Sequence, residues 1–165
     1  MPGADCWNAS GAMAASALRL PSSAACASLG LRLVLADTSA WHRSAAAGDR
    51  WSELLETGVL AICTPVALEL LISAPSRREY EELAGDLAQL PSLPLDRHGE
   101  AAAASTQAAL AARGQHRGAT PIDLLVAAVA EVHDAVVLHY DRHFDAIARV
   151  TGQPMEWLAR RGSLD

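Results

Sequence analysis

The chain has 165 residues, of which 51% are hydrophobic and 19% charged, a composition that predicts one globular domain and excludes a disordered chain. Its net charge of −6 argues against a broadly basic nucleic-acid-binding surface but leaves room for a nuclease built on a local cluster of acids. All 13 basic residues are arginine. Mechanisms that need a lysine beside a phosphoryl group are therefore excluded, including the P-loop, the receiver domains and the haloacid-dehalogenase-type phosphatases.

The cysteines and the hydropathy pattern bear on the cellular compartment. Cys6, Cys26 and Cys63 are odd in number and lack CxxC spacing, so neither a disulfide framework nor a zinc site is expected. No apolar run approaches the roughly 18 residues of a transmembrane helix. These features predict a protein of the reducing cytoplasm with no membrane association.

The first 30 residues differ from the rest of the chain. They are rich in Ala, Ser and Gly and show no lasting helical period. Arg19 comes too late to form the basic amino end of a signal peptide. Residues 1–30 are predicted to be a disordered or weakly helical extension, or the product of a start codon assigned too far upstream. Residues 31–160 are predicted to form the functional domain.

Strands and helices are predicted to alternate from residue 33 onwards. An apolar run over 33–36 predicts a first strand that ends at Asp37, after which Thr38 or Ser39 caps a helix. Further strands are predicted at 59–63, 93–95, 135–139 and 155–158. Helices are predicted at 38–47, 49–57, 64–74, 76–90, 96–113, 120–133 and 141–150. This alternation predicts a single α/β domain with a parallel sheet flanked by helices.

Two acids follow predicted strands. Asp37 and Asp141 each come at a carboxyl end, where open α/β sheets form their ligand-binding crevice. Either residue could instead cap the helix that follows it.

Two further acids lie in apolar helices that begin with Thr-Pro. Asp123 precedes a helix that is apolar almost all round, so it is expected near the core. Thr120 and Asp123 have the spacing of a capping box, which is an alternative to metal binding. Glu69 is predicted in the first turn of its helix, and an exposed, structurally neutral position is its alternative.

The four acids together suggest a cation site. All are predicted beyond the same edge of the sheet, where four carboxylates would repel one another without positive charge. Oxygen ligands of this kind favour Mg²⁺ or Mn²⁺.

The segments LADTSAW, TPVALELL, TPIDLLVAAVA and LHYDRHFDAIA, in this order, resemble the PIN-domain family and, more narrowly, the VapC ribonucleases, the toxin halves of toxin–antitoxin pairs. The resemblance covers residues 32–158. It implies a PIN-like domain with a central, mostly parallel sheet. The family's acidic quartet falls on Asp37, Glu69, Asp123 and Asp141, and its small hydroxyl on Thr38 or Ser39. Many members have another acid where this chain has His143, so the number of metal ions stays open.

The resemblance also implies an activity and partners. It implies Mg²⁺- or Mn²⁺-dependent hydrolysis of RNA that leaves 5′-phosphate and 3′-hydroxyl ends, a homodimer, and an antitoxin that places a basic side chain among the acids. Arg117, in the loop before the Asp123 helix, could contact RNA phosphate or could be an ordinary solvated residue. A PIN-like module that binds RNA or protein without cleavage is the alternative function.

Overall fold

The structure is a computed structural model that describes residues 31–164. The predictions for residues 1–30 lie outside the described residues. Within 31–164 there are eight helices and four strands. The helices are α1 (Thr38–Trp41), α2 (Ser44–Ala47), α3 (Asp49–Glu56), α4 (Thr64–Ile72), α5 (Arg77–Leu87), α6 (Arg97–Ala111), α7 (Pro121–Val132) and α8 (His143–Thr151). The strands are β1 (Val34–Ala36), β2 (Leu60–Ala61), β3 (Val136–His139) and β4 (Met155–Trp157).

The strands form one parallel sheet in the order β2-β1-β3-β4. Val34 of β1 is in register with Leu60 on one side and Val136 on the other. The prediction of a strand at 93–95 was wrong: these residues form no strand, and an isolated parallel bridge joins Ile62 to Ser92 just before them. The predicted parallel α/β fold is confirmed, and β1 is an inner strand of the sheet.

The helix predicted over 38–47 is divided in two by a turn at His42 and Arg43. At this turn the guanidinium of Arg43 lies 4.6 Å from the centre of the Tyr140 ring, and its Nη1 donates to the carbonyl of Ser39 at 3.3 Å. The prediction that Thr38 or Ser39 caps this helix was wrong, because the N-cap of α1 is Asp37.

The core is built mainly from Leu, Val and Ala, with Trp41, Trp51 and Phe144 as its large aromatic side chains. Helix α7 is buried on most of its circumference, as its apolar sequence predicts. It packs against α6, α4 and α8 and leads directly into β3. No helix within residues 31–164 has the length and apolar character needed to cross a membrane.

Candidate active site

The topology brings three parts of the chain to one edge of the sheet. Asp37 directly follows β1, and Asp141 lies two residues beyond the end of β3. Helix α7 precedes β3 in a parallel connection, so its amino end, with Asp123, lies at that same carboxyl edge. Electrostatic coupling supports this placement, because Asp37 and Asp141 both raise the pKa of Asp123.

Asp37 is buried, with only 3% of its surface exposed. Its Oδ2 accepts a hydrogen bond from the backbone N–H of Ser39 at 2.9 Å, which caps α1. Its other oxygen, Oδ1, is inaccessible and has no hydrogen-bond partner in the described part of the chain. A buried carboxylate oxygen without a partner is costly unless a cation or a water completes its environment.

Asp123 forms the predicted capping box with Thr120. Its Oδ2 accepts from the backbone N–H of Thr120 at 2.7 Å, and the hydroxyl of Thr120 accepts from the backbone N–H of Asp123 at 3.1 Å. Burial raises the pKa of the Asp123 carboxyl; the Thr120 hydrogen bonds oppose that rise, and the charges of Asp37 and Asp141 add to it. The capping box engages Oδ2 alone, so capping and a role in cation binding can share this carboxylate.

Glu69 contacts the segment that follows β1. It lies in the second turn of α4, so the prediction of a first-turn position was wrong. Its half-buried side chain accepts a hydrogen bond at Oε2 from the hydroxyl of Thr38, at 2.9 Å. This contact ties Glu69 to the residue beside Asp37. Glu69 is therefore oriented towards the acidic edge, although its place in a catalytic quartet stays a prediction.

His143 lies between two of the acids. Its Nδ1 is 3.3 Å from Oδ1 of Asp141 and 3.8 Å from Oδ2 of Asp123. Asp141 Oδ1 also accepts from the backbone N–H of His143 at 2.9 Å, and α8 begins at His143 rather than at Asp141 as predicted. The imidazole thus occupies space between the two carboxylates, at the position where many family members have another acid.

His139 contacts the backbone of Asp141. The backbone N–H of Asp141 donates to Nδ1 of His139 at 3.3 Å, and the His139 ring packs between Phe144 and Trp157. Burial lowers the pKa of His139, which favours the neutral ring that this hydrogen bond needs. His139 is therefore a positioning residue for the chain that carries Asp141.

The hydroxyls predicted to face substrate both have internal partners. That of Thr38 donates to Glu69, and that of Ser39 accepts from the backbone N–H of Tyr140 at 2.9 Å. Arg117 is exposed and lines an open cleft that also includes His143. Contact of these three residues with substrate stays a prediction.

The donor set fits a hard divalent cation only with water as an additional ligand. Within residues 31–164, no three His, Cys, Asp or Glu side chains are placed to hold a metal ion on their own. Mg²⁺ commonly keeps several waters and takes one or two carboxylates. Oδ1 of Asp37 has no hydrogen-bond partner in the described chain, and Asp37 lies close enough to Asp123 to raise the pKa of that carboxyl. These two carboxylates therefore match the one or two protein ligands that such an ion takes.

This chain is similar in sequence to a known protein family and to several ribonucleases. The PIN-domain family matches residues 34–150 of this chain. Ribonuclease VapC18 of Mycobacterium tuberculosis is 40% identical over 132 residues, which cover 78% of this chain and 96% of that protein. The chain belongs to the PIN-domain family, in its VapC branch. Ribonuclease VapC21 of the same species is 37% identical over 137 residues, covering 78% of this VapC-branch chain and 96% of the relative.

Solved structures share the fold of this VapC-branch protein. DNA-bound VapBC from Salmonella typhimurium matches with a TM-score of 0.64 at 20% identity, covering 78% of this chain and all of that chain (100%). VapBC2 from Rickettsia felis, bound to a promoter DNA fragment, matches with a TM-score of 0.60 at 18% identity, covering 76% and 98%. At these identities the match concerns the fold.

Cys63, at the end of the β2 segment, is buried beside the acids. Burial is the main cause that raises the pKa of its thiol to about 11; the charges of Asp37 and Glu69 contribute to this rise, and a backbone hydrogen bond with Val66 opposes it. Because the thiolate is the nucleophile, we expect iodoacetamide to leave Cys63 unmodified near neutral pH until the protein is unfolded with urea. Mass-spectrometric mapping of the Cys63 peptide measures this. Modification of the native protein at the rate of the urea-unfolded chain would show that the site is open in solution.

Proposed function

We propose that this protein is a metal-dependent endoribonuclease and the toxin of a type II toxin–antitoxin pair. Its 40% identity to Ribonuclease VapC18, over 96% of that protein, supports the ribonuclease activity. The metal dependence rests on one observation: Asp37 keeps a buried oxygen without a partner next to Asp123 and Asp141. Such an oxygen is suited to bind a divalent cation, which would also offset the negative charge of the RNA phosphate.

In this proposal the four acids bind the metal ion or orient the attacking water. Asp37, Asp123 and Asp141 hold Mg²⁺ or Mn²⁺, and Glu69 serves as a further ligand or orients the attacking water. The ion, when bound, lowers the pKa of a coordinated water and offsets charge on the leaving oxygen. Thr38 fixes the carboxylate of Glu69 through its hydroxyl, and Ser39 fixes the cap of Asp37 through its backbone N–H. The products are expected to carry 5′-phosphate and 3′-hydroxyl ends.

The partners follow from the same family membership. The similar folds include toxin–antitoxin complexes, among them VapBC from Salmonella typhimurium. We propose that a cognate antitoxin neutralises this protein with a basic side chain placed among the acids, which suits their uncompensated negative charge. A homodimer and a cytoplasmic location belong to the same proposal.

A PIN-like module that binds RNA without cutting it is the second candidate. One observation favours it: Nδ1 of His143 lies 3.3 Å from Asp141 and 3.8 Å from Asp123, in the space between two acids that would hold the ion. An imidazole there changes the donor set and its charge. The two candidates differ in whether phosphodiester bonds are broken.

The deciding experiment is an RNA cleavage assay with purified protein. Structured RNA is incubated with Mg²⁺, with Mn²⁺, or with excess EDTA, and the product ends are mapped by their sensitivity to a 5′-phosphate-dependent exonuclease. We expect cleavage with either metal and none with EDTA. Cleavage that persists in EDTA would overturn the metal mechanism. RNA binding without cleavage under every condition would favour the module.

Thr38→Val tests how Glu69 is positioned. The substitution removes the 2.9 Å hydrogen bond to Glu69 Oε2 while keeping the size of the side chain. Because supporting partners of such sites are typically worth 10- to 100-fold in activity or metal affinity, we expect cleavage to fall by about tenfold. Thr38→Ser, which keeps the hydroxyl, is the control and should retain most activity. A loss in Thr38→Ser with full activity in Thr38→Val would mean that the methyl group, not the hydrogen bond, is what matters.

A further inference from the structure

A basic cleft lies next to the acidic site. It has a volume of about 380 Å³ and is lined by four arginines, Arg117, Arg142, Arg149 and Arg161, with Asp145 as the acid among its lining residues. The arginines come from the loop before α7, the start and end of α8, and the segment after β4. Three of them, Arg142, Arg149 and Arg161, could not be singled out from the sequence, because only the fold brings these segments together.

The positive charge of this cleft is not neutralised within the described chain. Elsewhere, Arg32, Arg50, Arg77 and Arg78 each have a carboxylate partner within 3.0 Å. None of the four cleft arginines has a carboxylate partner among residues 31–164. The carboxylate of Asp145 accepts from Nε1 of Trp157 at 3.0 Å. In a protein with a net charge of −6, a local excess of exposed arginine is a site for an anion.

The cleft is continuous in its lining with the acidic edge. His143, which is 3.3 Å from Asp141, is one of its lining residues. Arg142 and Arg161 also line a second hollow, of about 220 Å³, that includes Asp141 and Trp157. Arg161 lies above the Trp157 ring, 5.8 Å from its centre. A polyanion that reaches the acids can therefore extend along these arginines.

We propose that these arginines form the groove that binds the RNA backbone on one side of the scissile phosphate. This deepens the proposed function and rests on it for the identity of the polyanion. A nucleic-acid strand carries one phosphate per nucleotide and needs several separated cations, which is what the four arginines offer. Arg117, Arg142, Arg149 and Arg161 are then substrate-positioning residues, and the acids carry the chemistry.

The test is binding of a fluorescently labelled single-stranded RNA of mixed sequence, measured by anisotropy in EDTA over a series of salt concentrations. The variant is Arg149→Gln/Arg161→Gln. Each phosphate contact with single-stranded nucleic acid contributes about 0.7 to the slope of log K against log salt, so we expect the slope to fall by about 1.4. At low salt the Kd is expected to rise by about tenfold. Thermal unfolding followed by circular dichroism confirms that the variant is folded.

The matched control is Arg77→Gln/Arg78→Gln on α5. It removes the same charge from two arginines that are ion-paired with Glu81 and Glu82. We expect its Kd and salt slope to match those of the unsubstituted protein. The groove is wrong if both variants bind alike, or if the unsubstituted protein does not bind the RNA at low salt. Binding with the expected slope change but no cleavage in Mg²⁺ or Mn²⁺ would uphold the groove and overturn the ribonuclease.

Discussion

Asp123→Asn is expected to reduce RNA cleavage by on the order of 10³-fold, because a metal site supplies several kcal/mol of transition-state stabilisation and each 1.36 kcal/mol is tenfold. The substitution keeps the shape of the side chain and an oxygen that can accept from the backbone N–H of Thr120, the 2.7 Å bond of the capping box. It removes the negative charge that would bind the ion. The measurement is the cleavage rate with saturating Mg²⁺ or Mn²⁺.

The same variant is expected to be more stable than the unsubstituted protein when metal is absent. Burial, with the charges of Asp37 and Asp141, raises the pKa of Asp123 above its ordinary value of 3.8 despite the Thr120 hydrogen bonds. The folded state therefore holds this proton more tightly than the unfolded state does. The resulting stabilisation is complete below about pH 3.8 and is lost as the pH rises through the folded-state pKa. Near neutral pH, Asn avoids this loss, so the Tm in EDTA should rise.

Addition of metal should reverse the order. A ligand that binds only the folded state stabilises it, so Mg²⁺ or Mn²⁺ is expected to raise the Tm of the unsubstituted protein and to leave that of Asp123→Asn nearly unchanged. Glu131→Gln, an exposed acid near the other end of α7, is the charge-matched control. It should change stability by no more than about 0.5 kcal/mol and leave cleavage intact. Full activity or a lower metal-free Tm in Asp123→Asn would contradict the proposed role.

Local signals in the sequence predict the parts of the site that depend on a single segment. A short apolar run that ends in Asp-Thr-Ser predicts β1 and the position of Asp37 after it. Thr120, Pro121 and Asp123 predict the start of α7 and its capping box, because cap formation depends on spacing alone. The order of such segments was enough to predict a parallel α/β fold.

The contacts that orient the acids depend on residues far apart in the chain. Thr38 and Glu69 are 31 residues apart, and Ser39 and Tyr140 are 101 apart. No periodicity encodes such pairs. The turn at Arg43 is a similar case. Helical propensity predicts one helix over 38–47, but the helix is interrupted where the Arg43 side chain lies over the ring of Tyr140. The fold, not the local pattern, decides which hydroxyl meets which carboxylate.

Trp41→Ala is expected to lower the free energy of unfolding by about 3–5 kcal/mol, the usual cost of removing a buried tryptophan. Trp41 is fully buried, and its ring meets that of Trp51 edge to face, with centres 4.8 Å apart at 74°. Typical domains have only about 5–15 kcal/mol of stability, so the variant should unfold at a much lower urea concentration. Both tryptophans are therefore core residues.

The effect of Trp41 should extend to the acidic site. Its backbone N–H donates to the carbonyl of Asp37 at 3.1 Å, so its side chain anchors the short helix that Asp37 caps.

Trp41→Phe is the matched control, because it keeps an aromatic ring and removes an indole N–H that is buried without a partner in the described chain. We expect it to lose clearly less stability than Trp41→Ala. In a double-mutant cycle with Trp51→Ala, the coupling should be about 0.5–1.5 kcal/mol. A loss below about 1 kcal/mol in Trp41→Ala would place this side chain outside the core in solution, since surface substitutions have small effects.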